Sequence, residues 1–179
     1  MKQEILEIAK QYKEDCDKNG NADFNRYNYL LVKNNGSIEY RHTLPYVLSD
    51  NVESLVVINE YGNRQISCTG YHYTSWSAQS LCLSDNGDSE TLIIDGWSIK
   101  FSGIRFIWDQ GDWPMMTLQK ENFKYELLFR SYEAVANNWH IVKLFMEAEG
   151  PKHLDLLLKP YIDEHKIIKN ANEFKIQIS

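Results

Sequence analysis

No apolar run in this sequence approaches the roughly 18 to 20 residues that a helix needs to cross a bilayer. The opening segment MKQEILEIAKQYKED scatters acids among its apolar positions, so it also lacks the unbroken apolar stretch of a secretory signal. Both absences lead to the expectation of a soluble, cytoplasmic chain. Cysteine is sparse. Cys16, Cys68 and Cys82 make an odd count of three, which excludes a fully paired disulfide framework and fits reduced thiols. Four prolines and nine glycines in 179 residues leave no room for a linker or a low-complexity tract. Net positive charge is missing too. A formal charge of -6 provides no general basic footprint for phosphate backbones, so direct nucleic-acid binding is not expected.

The signatures of common chemistries are equally scarce. His42, His72, His140, His153 and His165 are scattered, and no Cys-x-x-Cys or His-Glu-x-x-His brings metal donors to short spacing. The acidic stretch SDNGDSE offers oxygen ligands without the twelve-residue pattern of a calcium loop. No metal or cofactor is therefore expected. The sequence has no Gly-x-Ser-x-Gly elbow, no phosphate-cradling lysine loop and no Gly-x-Gly-x-x-Gly. Cys68 and His72 are four apart, a spacing that a strand end can turn into a thiol–imidazole pair. A small packing residue on a strand is the plainer role for Cys68.

What is present is an ordinary core-forming composition, 43% hydrophobic and 13% aromatic, in a length suited to one domain spanning 1–179. Ile5, Leu6, Ile8, Ala9 and Tyr12 form a helical stripe, which predicts an amphipathic helix within residues 1–20. From residue 26 to 129 the period changes to two, and turn dipeptides recur: Asn35-Gly36, Gly62-Asn63, Asn86-Gly87 and Asp95-Gly96. This predicts a long antiparallel meander of seven or more strands, curled or barrel-like. A type I′ turn at Asn35-Gly36 would put Tyr29, Leu31, Ile38 and Tyr40 on one face. Residues 131–168 return to helical spacing, with Ser131 as N-cap, Gly150-Pro151 as a stop and Pro160 ending or kinking a second helix. Residues 173–178 alternate and suit a final strand. Helix, antiparallel sheet and helices make the fold class α+β.

Two features stand out as contact chemistry. GYHYTSWSAQS, residues 70–80, carries Tyr71, His72, Tyr73 and Trp76 with no charge and little aliphatic company. It suits either a partner-binding surface or an edge strand packed on the core, and as a surface it would be partly exposed. Between Ser84 and Trp113 six acids face two bases. The candidate contact acids are Asp85, Asp88, Glu90, Asp109 and Asp112, which hairpin geometry would gather at the rims of a sheet. The alternative is the ordinary preference of turns for Asp. By contrast, Trp97, Ile99 and Phe101 share strand parity and are expected in the core, as are Ile104, Phe106 and Trp108.

The expected function is non-enzymatic binding of another protein, in the manner of a small inhibitor, an immunity protein or an anti-defence factor. The partner would carry a basic or nucleic-acid-binding surface. Abundant lysine and asparagine with little proline match what AT-rich bacterial or phage genomes encode. The alternative is a small-ligand binder or enzyme with a pocket near His72 in the curled sheet.

Overall fold

The computed structural model describes residues 2–19, 27–59, 65–66, 74–75, 79–84, 87–106, 111–164, 166–170 and 175–178. Tyr71, His72, Tyr73, Trp76, Asp85 and Asp109 lie outside them, as do Cys68 and the Gly62-Asn63 dipeptide.

Helix α1 (Lys2–Asn19) follows from its stripe: Ile5, Leu6 and Ala9 are buried and Tyr12 is half-buried, while Ile8 sits off the stripe at 39% exposure. Pairs one turn apart run along its polar side, Lys13 to Asp17 at 2.5 Å and Lys10 to Glu14 at 3.9 Å. The strands that follow are β1 (Tyr27–Lys33), β2 (Ile38–Arg41), β3 (Val52–Asn59), β4 (Gln65–Ile66), β5 (Thr74–Ser75), β6 (Gln79–Ser84) and β7 (Gly87–Ser89). Next come β8 (Leu92–Ile94), β9 (Trp97–Phe106), β10 (Gly111–Lys120) and β11 (Phe123–Phe129). Helices α2 (Tyr132–Asn137), α3 (Trp139–Glu147) and α4 (Pro151–Asp163) precede β12 (Ile167–Asn170) and β13 (Lys175–Ile178). The class is α+β.

The expected single curled meander is corrected. The described strands divide between two open sheets, one ordered β2-β1-β3-β6-β7 and the other β12-β13-β11-β10-β9-β5-β4, with β8 also paired to β9. The break falls at Glu90 and Thr91: β7 pairs back onto β6, whereas β8 pairs forward onto β9. The longest run of consecutive antiparallel neighbours is thus β8 to β11. The end of the chain then re-enters the second sheet, where β13 lies parallel to β11 and antiparallel to β12.

The shared face of Tyr29, Leu31, Ile38 and Tyr40 is also corrected. Gly36 donates to the Lys33 carbonyl at 2.8 Å and Lys33 donates to that of Ser37 at 2.9 Å, which closes a three-residue loop over 34–36. Gly36 is left-handed at φ 74 while Asn35 is not, so the hairpin is a type I turn followed by a glycine bulge. One extra loop residue slips the register by one and exchanges the faces. Leu30 now opposes Tyr40 and Val32 opposes Ile38, while Tyr29 and Leu31 point the other way. The Asp95-Gly96 turn does carry two positive φ angles, 51 and 78, as a type I′ hairpin requires.

β1 is buried on both faces and separates two hydrophobic clusters. Tyr29, Leu31, Leu55, Val57 and Leu83 meet α1 on one side. On the other, Leu30, Val32, Val56 and Ile58 join a larger cluster that includes Trp97, Ile99, Phe101, Leu127, Trp139 and Phe145. Each such large apolar side chain contributes about 1.5–3 kcal/mol when fully buried.

The helical segment expected over 131–168 is interrupted twice. Ser131 caps α2 by accepting from the Ala134 amide at 3.0 Å, but Asn138 leaves helical geometry and its side chain donates to the Ala134 carbonyl at 2.8 Å. The Asn138 backbone amide donates to the same carbonyl at 3.0 Å, so the last rung of α2 is kept, and the turn of the backbone at Asn138, φ -107 and ψ 18, separates α2 from α3. α4 continues through Pro160 to Asp163. The carbonyl that loses its backbone donor to the proline belongs to Leu156, an exposed residue. Residues 167–170 then form β12 instead of more helix.

Candidate functional site

The acids expected at the sheet rims are placed on different sheets. Asp88 lies in edge strand β7 opposite Leu83, and Glu90 is exposed just beyond it, its carbonyl accepting from Ser80 Oγ at 3.3 Å. Asp112 lies in β10 opposite Arg105. Trp97 and Phe101 are buried, as their parity predicted, and Trp97 stacks on Tyr125 with ring centres 6.0 Å apart. Burial pushes the Cys82 thiol up to about 12, so it stays protonated as a packing residue. Among the described residues no group of three His, Cys, Asp or Glu side chains could hold a metal ion, and no helix is long and apolar enough to cross a membrane.

The structure draws attention to the loop between β2 and β3. Tyr46 is 97% exposed and Val47 78% exposed, side by side. Their flanks are tied down. Leu48 is buried and Leu44 packs half-buried into the cluster beneath α1, so the two leucines pull the loop inward on either side of the exposed pair. Pro45 fixes the backbone angle directly before Tyr46.

Both loop ends are also held by polar contacts. At the start, His42 packs edge-on against Tyr40, with ring centres 5.3 Å apart, and Tyr40 donates to Asn28 Oδ1 at 2.8 Å. At the end, Ser49 Oγ donates to Asn51 Oδ1 at 2.6 Å and the Asn51 carbonyl accepts from the Asn34 amide at 2.8 Å. The Lys2 ammonium donates to the Val52 carbonyl, linking the start of α1 to the same place. Nearby, Glu39 bridges Lys33 at 2.7 Å and Arg41 at 2.5 Å. The Lys33 hydrogen bond, with help from Arg41, outweighs burial and holds the Glu39 carboxyl below its ordinary range.

Few ways of binding use a phenol and an isopropyl group in water except insertion into an apolar socket. Tyrosine suits this because it offers a large contact area with little side-chain entropy to lose and a hydroxyl for the rim. A loop already held in shape adds little ordering cost on association. Sequence reading passed over this pair, although a signal exists in LPYVL. Its four apolar residues flanking a proline are awkward for a central strand, so some must face away from the core.

Comparison with known proteins finds no matching family model, no matching curated protein and no matching solved structure, which leaves the side chains themselves as the guide to function.

Proposed function

We propose that this protein works by binding another protein, in the manner of a small inhibitor, with Tyr46 and Val47 as the contact that enters the partner. The observation that carries this reading is the adjacent exposure of Tyr46, at 97%, and Val47, at 78%, on a loop whose flanking leucines and polar ends are anchored. Isolated surface apolar residues are common, whereas an adjacent tyrosine and valine held out on a braced loop fit an interface anchor. The net charge of -6 complements a partner with a basic face, and exposed Glu90 is one candidate acid available to steer encounter.

The test is affinity capture from host cells with wild-type protein and with a Tyr46→Ala, Val47→Ser variant. The variant is expected to keep the wild-type melting temperature and to lose a stoichiometric partner, with an affinity cost of about 2 kcal/mol or more. Retention of that partner at wild-type affinity would refute the assignment. Raised salt is expected to slow association with little effect on dissociation, because exposed charges are screened within about 10 Å at 0.1 M.

A further inference from the structure

A second site is built where the two sheets meet the end of α3. The β1–β2 turn, the β8–β9 turn, the last residue of β10 and the final turns of α3 enclose a cleft of about 460 Å³. That volume falls within the roughly 300–1,000 Å³ of small-molecule sites. Val32, Trp97 and Met146 give it an apolar wall, and three acids, Glu53, Asp95 and Glu147, line it together with Lys120 and Lys143. Trp139 braces the first turn by donating its indole N–H to the Gly36 carbonyl at 2.8 Å.

Two lysines, Lys120 and Lys143, line this space, each with its ammonium beside a left-handed glycine. A Cβ added at Gly36 would lie 3.3 Å from Lys143 Nζ, and one at Gly96 would lie 3.5 Å from Lys120 Nζ. A side chain at Gly36 would press lightly on Lys143, whereas one at Gly96 would meet Lys120 at ordinary contact distance. Lys120 donates to the Asp95 carbonyl at 3.0 Å, which fixes its ammonium and leaves two further N–H donors. Lys143 is half-buried, and its ammonium has no hydrogen bond or ion pair among the described residues. An anion in the cleft would accept from the Lys143 ammonium and from the remaining Lys120 donors in charge-assisted hydrogen bonds.

The acids of the lining narrow the choice of anion. Glu53, Asp95 and Glu147 outnumber the two lysines, so they disfavour a polyanion, and they accept hydrogen bonds from hydroxyl or amino groups. We infer that this cleft binds a small organic anion bearing hydroxyl or amino groups, its phosphate or carboxylate held between Lys120 and Lys143. The site is distinct from the Tyr46 loop and does not depend on the protein-binding reading.

The experiment is a titration of the isotopically labelled full chain, followed at the Gly36 and Gly96 amides by NMR, with glycerol phosphate and glycerate as matched probes. One or both is expected to shift these amides saturably below about 10 mM. The more potent probe identifies the preferred anionic group. Lys143→Met keeps the apolar stem and is expected to weaken binding by about tenfold or more with folding intact. Should that variant unfold, Lys120→Met serves in its place. The inference is overturned if neither probe saturates, if chloride at matched ionic strength moves the same amides equally, or if the folded lysine variant binds like wild type.

Discussion

Replacing Trp139 with phenylalanine tests how α3 is joined to the first hairpin. Trp139 is 4% exposed, and its indole N–H reaches the Gly36 carbonyl 103 residues away in the chain. Phenylalanine keeps most of the apolar surface and removes that donor. Losing the hydrogen bond costs about 1 kcal/mol, at the modest end because half-buried Gly36 leaves water some access to the orphaned carbonyl. The smaller ring also leaves a void in the larger cluster, worth a further 1–2 kcal/mol or about that. A total near 2–3 kcal/mol corresponds to a fall in melting temperature of about 5–10 °C for a chain of this size. Urea unfolding should be followed by far-ultraviolet circular dichroism, since removing a tryptophan alters the fluorescence signal. An unchanged denaturant slope with a lower midpoint is the expected result. A loss below about 0.5 kcal/mol would refute the reasoning, because it would mean that neither the bond nor the packing at this site holds the helix to the turn.

Glu121 has φ 52 in the turn between β10 and β11, a conformation that asparagine adopts more readily, so Glu121→Asn should raise stability by about 0.5 kcal/mol in urea titration. Cys82, in a chain carrying Cys16→Ser and Cys68→Ser, should react with a thiol reagent at neutral pH only as fast as the protein opens; labelling at free-thiol rates would contradict its burial and raised pKa. Glu39 has a lowered folded pKa, so its contribution is present above the unfolded carboxylate value of about 4.3 and disappears as pH falls through the lower folded value. Glu39→Gln should therefore flatten the stability profile below about pH 4.5, by less than about 1 kcal/mol for a pair this exposed.

Local periodicity and turn chemistry were legible wherever one physical requirement dominated. The α1 stripe, the Ser131 cap and the Asp95-Gly96 turn each answer to a single local rule. Where two solutions were locally equivalent, tertiary contacts decided. Asn-Gly supports either a two-residue or a three-residue loop, and because YLLV is apolar on both sides, alternation could not tell which parity faced which cluster. The departure of β8 from the first sheet depends on pairing with β9 across a turn, while the β7 edge is left behind; hairpin signals mark turns without saying which sheet receives them. The Tyr46 pair was hidden for a related reason. LPYVL contains both anchors and exposed residues, and its apolar character alone does not say which are which.

The doubly covered strand β1 has a consequence for how this molecule opens. Leu31 and Leu30 are chain neighbours that belong to different clusters, the smaller one closed by α1 and the larger one shared by the second sheet and the C-terminal helices. If α1 lifts away as a sub-global unit, the amides of α1 exchange with solvent while those of β1 remain locked until the whole protein unfolds. Native-state hydrogen exchange would then show two tiers of protection. Leu31→Ala would lower the first tier together with the second, whereas Leu30→Ala would lower the second and narrow the gap between them. The strand would act as the seam at which a partial opening stops.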